Sequence, residues 1–200
     1  MMEGMTRKTD RRTIYTKNTI KDALLVALDS KPFEKIGVTD ICRISEINRG
    51  TFYLHYGNLV DVLNEVLDDA MYGSRSVFKH LSVHCQECAN PDENSLCRAV
   101  QRSGKYWPVF HDNSVTELIL KRIAEQYKDE FVDELLSHSP LSRRQAEALY
   151  HFQINGCLAA SRCMGSDTEN DWRELQKALD RFIKGGLKAV CDTSVFTRET

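Results

Sequence analysis

Apolar residues recur at spacings of three and four along nearly the whole chain, which is the pattern of amphipathic α-helices. A first helix is predicted over residues 16–30, and its inward positions are Ile20, Ala23, Leu24, Ala27 and Leu28. No segment has the strict alternation of apolar and polar residues that indicates a half-buried strand. The pattern therefore predicts an all-α protein.

Further helices are predicted from the same periodicity and from the residues that start and stop helices. They fall at residues 40–45, 48–56, 58–81, 114–136, 142–164 and 170–190, with two short ones within 94–110. Gly104 and Pro108 are expected to interrupt the two short helices, and the polar stretch at 84–94 predicts a loop. The range 58–81 would make an unusually long fourth helix.

This fourth helix is expected to join two parts of the chain. The first part is a three-helix head over residues 1–57, which begins with a basic arm at 1–12. The second part is a larger helical body over residues 58–200. A total of 200 residues suits a small head on a larger body.

The segment 38–61 has the pattern of two short helices, a tight turn and the start of a third helix. Thr39 is predicted to cap the first short helix, because its hydroxyl can accept a bond from a free N–H one turn later. Asn48 is predicted to cap the second helix. Asn58 is predicted to cap the third, where Asp61 completes a variant of the capping box.

The second short helix presents a mostly polar, partly aromatic surface if Phe52 packs inward against the scaffold. Its outward residues are Arg49, Gly50, Thr51, Tyr53, Leu54 and His55. This arrangement is a helix-turn-helix, and the surface has the size and chemistry to enter a DNA major groove. The sequence therefore predicts binding to double-stranded DNA.

Side-chain chemistry indicates a role for each outward residue. Arg49 is expected to read a guanine or, alternatively, to bind a phosphate. Thr51 and Leu54 can touch a thymine methyl group, and His55 can reach a phosphate or a base. Thr39 can bond phosphate from the start of its helix, and Asn48 and Asn58 are also predicted to be DNA-binding residues.

Two stretches of this segment resemble the signature of TetR-type transcriptional regulators. They are GVTDI at residues 37–41 and INRGTFYLHY at residues 47–56. KPFEKI at residues 31–36 is similar to the same family's link between its first two helices. The resemblance covers about residues 10–65 and implies an all-α regulator that binds DNA.

The chain departs from the family pattern at two places. Asn58 stands where the family often has a lysine that touches phosphate, and Ser45-Glu46 stands where small residues are common. Tyr53 matches the family position that bonds phosphate. The resemblance therefore implies a phosphate contact for Tyr53.

The resemblance also implies a homodimer on a palindromic operator, joined through the eighth and ninth predicted helices. Phe152, Asn155-Gly156 and the stretch FIKGGL at residues 182–187 resemble the body of a TetR subgroup common in Firmicutes, which implies regulatory and dimerisation roles for residues 58–200. The predicted dimer residues are small or apolar: Gly156, Ala160, Leu175, Leu179, Phe182, Ile183 and Gly186. A two-fold four-helix bundle would bury them. The alternative is that the core of the monomer uses these faces.

Large aromatic residues are concentrated in the body, where the family resemblance implies a cavity for a small-molecule effector. The candidates are Phe78, Tyr106, Trp107, Phe110, Tyr127, Phe131 and Phe152. An effector would act by binding two conformations with different affinity. The alternative is that these aromatic residues form an ordinary core.

The formal net charge of −2 does not by itself indicate a nucleic-acid binder, but the charge is unevenly distributed. Residues 1–60 hold ten Lys or Arg against seven Asp or Glu. Arg11 and Arg12 in the basic arm would add sequence-independent attraction to phosphates. The alternative is a solvated, disordered start to the chain.

A cluster of possible metal ligands lies within residues 80–97. It consists of His80, His84, Cys85, Cys88 and Cys97. Thiolate and imidazole are ligands that Zn²⁺ prefers, and a Cys-x-x-Cys pair can also form a disulfide. The alternative is a set of cysteines with no such role, and no cofactor is predicted.

The chain lacks a signal-peptide core and a run of the roughly 18–20 apolar residues that a membrane helix needs, so a cytoplasmic location is expected. The sequence contains neither a Gly-rich phosphate loop nor a nucleophile elbow, so no enzyme is predicted. The favoured hypothesis is a ligand-responsive repressor. The alternatives are a partner-binding coactivator or adaptor that keeps the fold, and a metal- or thiol-responsive regulator that uses the Cys85–Cys88 region.

Overall fold

A computed structural model describes residues 3–71, 104–163 and 169–192, and these ranges contain helices and no strand. The helices are α1 (Glu3–Leu28), α2 (Val38–Ile44), α3 (Arg49–Tyr53), α4 (Leu59–Met71), α5 (Trp107–His111), α6 (Thr116–His138), α7 (Arg143–Cys163) and α8 (Glu169–Cys191). Short 3₁₀ turns occur at Phe33–Lys35 and Asn113–Val115. The predicted all-α fold is confirmed.

The start of α1 differs from the prediction. The helix begins at Glu3, so the predicted basic arm is the first part of α1 rather than a separate segment. Arg11 and Arg12 are exposed on it, and the hydroxyl of Thr16 donates to the carbonyl oxygen of Arg12 over 2.9 Å. This stretch has no apolar stripe, and apolar periodicity therefore could not reveal it.

The first four helices share one core. Its fully buried side chains come from all four: Ile20, Leu24, Ile41, Phe52, Val62, Leu63, Val66 and Leu67. Ile47, from the turn between α2 and α3, packs against this core. The core fixes which face of α3 remains outside.

The turn after α2 holds a residue in a costly backbone conformation. The N–H of Ile47 donates to the carbonyl oxygen of Cys42 over 3.0 Å, which closes a Schellman-type end to the helix. Between them Glu46 has a φ of 54°, in the left-handed region that glycine adopts most readily. Glu46 is exposed, so neither packing nor burial explains its identity.

Replacing this residue is expected to stabilise the protein. Glu46→Gly should raise the free energy of unfolding by about 0.5–1 kcal/mol, because relief of left-handed strain exceeds the added freedom of the unfolded chain. Urea unfolding followed by circular dichroism measures the change. Glu46→Ala is the control, since it removes the carboxylate and keeps the strain. Equal stability of the two variants would contradict the assignment.

In the body, α6 and α7 pack along each other. The inward residues of α6 are Val115 just before it, Ile119, Ile123, Tyr127, Phe131, Val132 and Leu135. They meet Tyr150 and Ile154 of α7, and the Tyr150 hydroxyl donates to the carbonyl oxygen of Ile123 over 3.1 Å. The apolar stripe predicted for this helix is confirmed.

The helix α4 is tied to α6 by two contacts. The Tyr127 hydroxyl donates to the carbonyl oxygen of Met71 over 3.2 Å. Arg122 Nε donates to Asp68 Oδ1 over 2.9 Å. The predicted continuation of this helix to residue 81 and the loop at 84–94 lie outside the described residues.

A short helix precedes α6. It begins at Trp107, and Pro108 lies in its first turn, where a missing N–H costs nothing. Pro108 therefore begins a helix and does not interrupt one, so this prediction is wrong. The N–H of Trp107 donates to the carbonyl oxygen of Gly104 over 3.0 Å, so the chain does turn at the predicted glycine.

His111, at the end of α5, lies between two carbonyl oxygens. Its Nδ1 is 3.0 Å from the oxygen of Trp107 and its Nε2 is 3.2 Å from the oxygen of Ser161. Burial lowers the pKa of His111, the two carbonyl contacts oppose that change, and the nearby Arg162 adds to it.

Because of His111, the protein is expected to lose stability in acid. Because its folded pKa lies below its unfolded pKa, the unfolded chain binds the proton more readily. The contribution of neutral His111 to the free energy of unfolding is therefore present above the unfolded pKa, about 6.5, and is lost as the pH falls below that value. Urea unfolding at neutral pH and at pH ~5 should show a smaller loss of this free energy in acid for His111→Gln than for the wild type. An equal loss in both proteins would contradict this prediction.

The last described helix, α8, packs through one narrow side. Trp172 and Leu187 are buried, and Ile183 and Cys191 are half-buried against the core. Phe182, next to Ile183, is 68% exposed. Among the residues that the structure describes, no helix is long and apolar enough to cross a membrane.

Candidate nucleic-acid interface

The N-terminus of α3 is fixed by Asn48. Its Oδ1 accepts bonds from the backbone N–H of Thr51 over 2.7 Å and from the hydroxyl of Thr51 over 3.2 Å. The predicted cap is confirmed. Because Asn48 and the Thr51 hydroxyl bond each other, both groups are part of the N-terminal cap of α3.

Gly50 has a local structural reason as well as the predicted role of clearance. A Cβ atom at this position would lie 3.2 Å from Asn48 Oδ1, which is closer than most side-chain contacts allow. Any other residue would therefore crowd the cap. The sequence pattern did not indicate this constraint.

The inward and outward faces of α3 are sharply separated. Phe52 has no exposed surface, whereas Tyr53 is 54% exposed and Leu54 is 82% exposed. Tyr53 rests edge-on against the ring of Phe52, with ring centroids 5.3 Å apart. This contact holds the Tyr53 ring at the surface.

The remaining outward residues also lie at the surface. Arg49 is exposed and has no hydrogen-bond or ion-pair partner among the described residues. His55 is half-buried. The predicted DNA-contacting residues of α3 are thus exposed, apart from Thr51 and His55, which are half-buried.

The N-terminus of α2 differs from the prediction. The cap position is Gly37, and Thr39 lies inside the first turn, so the capping role assigned to Thr39 is wrong. The reason is the carboxylate of Asp40, whose Oδ2 accepts from the N–H of Gly37 over 2.9 Å and from Lys31 Nζ over 2.7 Å. The bond from Lys31, followed by that from Gly37, lowers the pKa of Asp40. The exposed Thr39 hydroxyl is left available to a ligand.

The start of α4 forms a reciprocal cap. Asn58 Oδ1 accepts from the N–H of Asp61 over 3.1 Å and from the N–H of Val60 over 2.7 Å. In return, Asp61 Oδ2 accepts from the N–H of Asn58 over 3.1 Å and from that of Gly57 over 2.9 Å. The predicted capping box is confirmed, and the carboxylates of Asp61 and Asp40 both accept hydrogen bonds within the head.

A partly buried polar group joins the end of the helix-turn-helix to α1 and α4. The Tyr56 hydroxyl donates to Glu65 Oε2 over 2.8 Å, and Lys17 Nζ bonds Glu65 Oε1 over 2.6 Å. The same Lys17 nitrogen lies 5.1 Å from the centre of the Tyr56 ring.

The protonation of this group is stable near neutral pH. Burial first, and then the bond to Glu65, raise the pKa of Tyr56. Burial alone would raise the pKa of Glu65, but the bonds from Lys17 and Tyr56 hold it below its ordinary value. Tyr56 is therefore a scaffold residue that orients α3. No short-range pattern indicates a contact between residues 48 positions apart.

The predicted aromatic pocket residues are distributed unevenly. Phe110, Tyr127 and Phe131 are buried, and Tyr106 and Trp107 are half-buried. Phe152 is 67% exposed, so its assignment to an interior pocket is wrong for the monomer. It lies beside the inward stripe of α7 rather than on it. Phe78 lies outside the described residues.

The predicted dimer residues also divide into two groups. Gly156, Phe182 and Gly186 are exposed. The half-buried ones are Ala160, Leu175, Leu179 and Ile183. A Cβ atom on Gly156 or Gly186 would meet no atom within 4 Å, so the fold of the monomer does not require glycine at either position.

The possible metal ligands His80, His84, Cys85, Cys88 and Cys97 all lie outside the described residues. Within residues 3–71, 104–163 and 169–192, no group of three or more His, Cys, Asp or Glu side chains could hold a metal ion. The metal or thiol hypothesis therefore stays a prediction.

Comparison with known proteins finds a similarity to a helix-turn-helix regulator. The chain is 30% identical over 94 residues to the uncharacterized HTH-type transcriptional regulator YxbF of Bacillus subtilis. The match spans 46% of this chain but only 23% of that relative. No protein-family model matches the chain. The similarity agrees with a helix-turn-helix and leaves the narrower TetR assignment to the sequence signature.

Proposed function

We propose that this protein is a transcriptional repressor of the TetR type that binds a palindromic operator as a homodimer and releases it on binding a small molecule. The observation that carries the proposal is the outward face of α3, with exposed Arg49, Tyr53 and Leu54 and an anchored Phe52 behind them. The similarity to a helix-turn-helix regulator supports the same class of function.

The contacts follow from this face. Arg49 reads a base edge or binds a phosphate, and Leu54 meets a thymine methyl group. The hydroxyls of Tyr53 and Thr39 bind phosphate and fix the position of α3 in the groove. Arg11 and Arg12, exposed on α1, add attraction to the backbone.

A homodimer is supported by the exposed faces of α7 and α8. Phe152 on α7 and Phe182 on α8 are the aromatic side chains exposed in the described part of the body. Each lies four residues before a glycine, Gly156 or Gly186, at which an added Cβ would meet no atom within 4 Å. A phenylalanine beside a flat surface suits close packing of helices across a two-fold axis.

The effector is proposed to bind between α4, α6 and α7. The Arg122–Asp68 pair and the Tyr127–Met71 bond tie α4 to α6, so a ligand that displaces α6 would also move α4. A shift of this kind requires that the ligand prefer one of two head positions.

Binding to DNA from the promoter region of the protein's own gene, measured at several salt concentrations, tests the proposal. We expect nanomolar-range affinity and a steep fall with salt. Arg49→Ala should weaken binding by about 1–3 kcal/mol per half-site, which is roughly 5- to 150-fold, and Tyr53→Phe should weaken it without changing sequence preference.

Arg144→Ala is the matched control, because it removes an exposed arginine from α7, away from the head. It should bind DNA as the wild type does. If Arg49→Ala and Tyr53→Phe also bound as the wild type does, the outer face of α3 would not be the DNA-reading surface. A partner-binding role would then be favoured.

A further inference from the structure

A second connection between head and body lies at the end of α5. It consists of Phe33, His111, Asp112, Ser161 and Arg162, and it is called the joint below. Asp112 Oδ2 accepts from the backbone N–H of Phe33 over 2.6 Å, although the two residues are 79 positions apart. Asp112 is only 9% exposed.

The other oxygen of Asp112 is also occupied. Its Oδ1 accepts from the N–H of Ser114 over 2.8 Å and from the Ser114 hydroxyl over 2.7 Å. The carboxylate therefore fixes the turn before α6 and holds the link between α1 and α2 against it. Phe33 belongs to that link, which leads into α2 of the helix-turn-helix.

Arg162, near the end of α7, holds the other side of the joint. Its Nε donates to the carbonyl oxygen of Phe110 over 2.9 Å, and its Nη2 donates to that of Asp112 over 3.2 Å. Its Nη1 donates to the hydroxyl of Thr116 over 2.8 Å. One side chain thus bonds the end of α5 and the start of α6 together.

A guanidinium with its donors spread over three acceptors is rigid, because each bond fixes a different direction. His111 adds a fourth contact to α7 through the carbonyl oxygen of Ser161. No residue of α4 takes part in the described bonds of the joint. The head is therefore also held to the body away from α4, here and through the ion pair of Lys105 Nζ with Asp22 Oδ1 at 2.8 Å.

We propose that Asp112 and Arg162 are positioning residues that transmit the placement of α7 to the DNA-binding head. This inference rests on the proposed function, in which α7 lies at the two-fold axis of the dimer. A head held by α4 alone can tilt about the end of that helix. A head also held through Phe33 is fixed relative to the dimer axis, so the joint sets the distance between the two α3 helices.

The test uses the full-length protein and operators whose half-sites are separated by the preferred spacing or by one or two base pairs more or fewer. The wild type should prefer one spacing, because the two recognition helices must enter successive major grooves. Arg162→Lys keeps the positive charge but cannot make three directed bonds. Asp112→Ala removes both carboxylate oxygens, so the N–H of Phe33 loses its acceptor.

Both variants should bind the preferred spacing up to about tenfold more weakly, the loss expected for a hydrogen bond, while the other spacings lose little. The preference among spacings should therefore flatten. A loss of folded protein would instead weaken every spacing by the same factor. Arg143→Lys is the control, since this α7 arginine pairs with Asp133 on α6 and lies outside the joint.

Amide hydrogen exchange of the free protein gives a second readout that needs no DNA. The N–H of Phe33 should exchange up to about tenfold faster in both variants and at the wild-type rate in Arg143→Lys. Unchanged exchange at Phe33 together with an unchanged spacing preference would overturn the inference that the joint positions the head. Failure of the wild type to bind any DNA would instead overturn the proposed function, and exchange would still decide whether the joint exists.

Discussion

Phe52→Ala is expected to lower the free energy of unfolding by about 3–5 kcal/mol, the range for deleting a buried phenylalanine. Phe52 has no exposed surface, and its ring meets those of Tyr53 and Tyr56 at centroid distances of 5.3 Å and 6.1 Å. The cavity would lie at the centre of the head. Because total stabilities are about 5–15 kcal/mol, the change would consume much of what holds the head together.

Urea unfolding followed by far-UV circular dichroism measures this effect. Leu54→Ala, two residues later, is the matched control, because Leu54 is 82% exposed and its loss should change stability by less than about 0.5 kcal/mol. DNA binding should fall in both variants, through unfolding at position 52 and through a lost base contact at position 54. A cost below about 1 kcal/mol for Phe52→Ala would contradict the inward placement of this residue.

The sequence predicts those features of the head that depend on near neighbours. The caps at Asn48 and Asn58 and the inward Phe52 agree with the structure, because each depends on residues within four positions. The periodic stripe of α6 is confirmed for the same reason. Local chemistry also explains the error at Thr39, where two capping candidates compete and the carboxylate of Asp40 takes the N–H of Gly37.

Contacts between distant parts of the chain could not be predicted in this way. Tyr56 bonds Glu65, and Glu65 bonds Lys17 from another helix, yet no pattern around any of the three residues indicates this. Asp112 reaches Phe33 across 79 positions, and Arg162 crosses 52 positions to Phe110. These bonds depend on how helices are placed in space, which apolar periodicity does not specify.

Phe152 shows the same limit on a single helix. Apolar residues on α7 cover more than one face, and the sequence alone cannot say which face is inside the monomer. The structure places Tyr150 and Ile154 inside and leaves Phe152 exposed. This correction removes one candidate from the effector pocket and adds it to the surface proposed for dimerisation.

Phe182→Glu is expected to convert a dimer into monomers, so that the sedimentation mass falls from twice 22.9 kDa to 22.9 kDa. Phe182 is 68% exposed in the monomer, so the change should leave the stability of the isolated subunit within about 0.5 kcal/mol. In the dimer the same carboxylate would be buried without a partner, which is strongly unfavourable. Operator affinity should fall by about 10²-fold or more, because two linked half-site contacts become one.

Gly156→Leu tests the α7 side of the same interface, by changing the size of a side chain rather than its charge. No atom lies within 4 Å of a Cβ at this position, so the leucine fits the monomer and favours its helix by up to about 1 kcal/mol. It should nevertheless separate the subunits if α7 packs closely against its copy. Phe182→Leu, which keeps an apolar side chain, should remain dimeric. A wild-type mass of 22.9 kDa at micromolar concentration, or a Phe182→Glu protein that stays dimeric, would rule out this surface as the dimer interface.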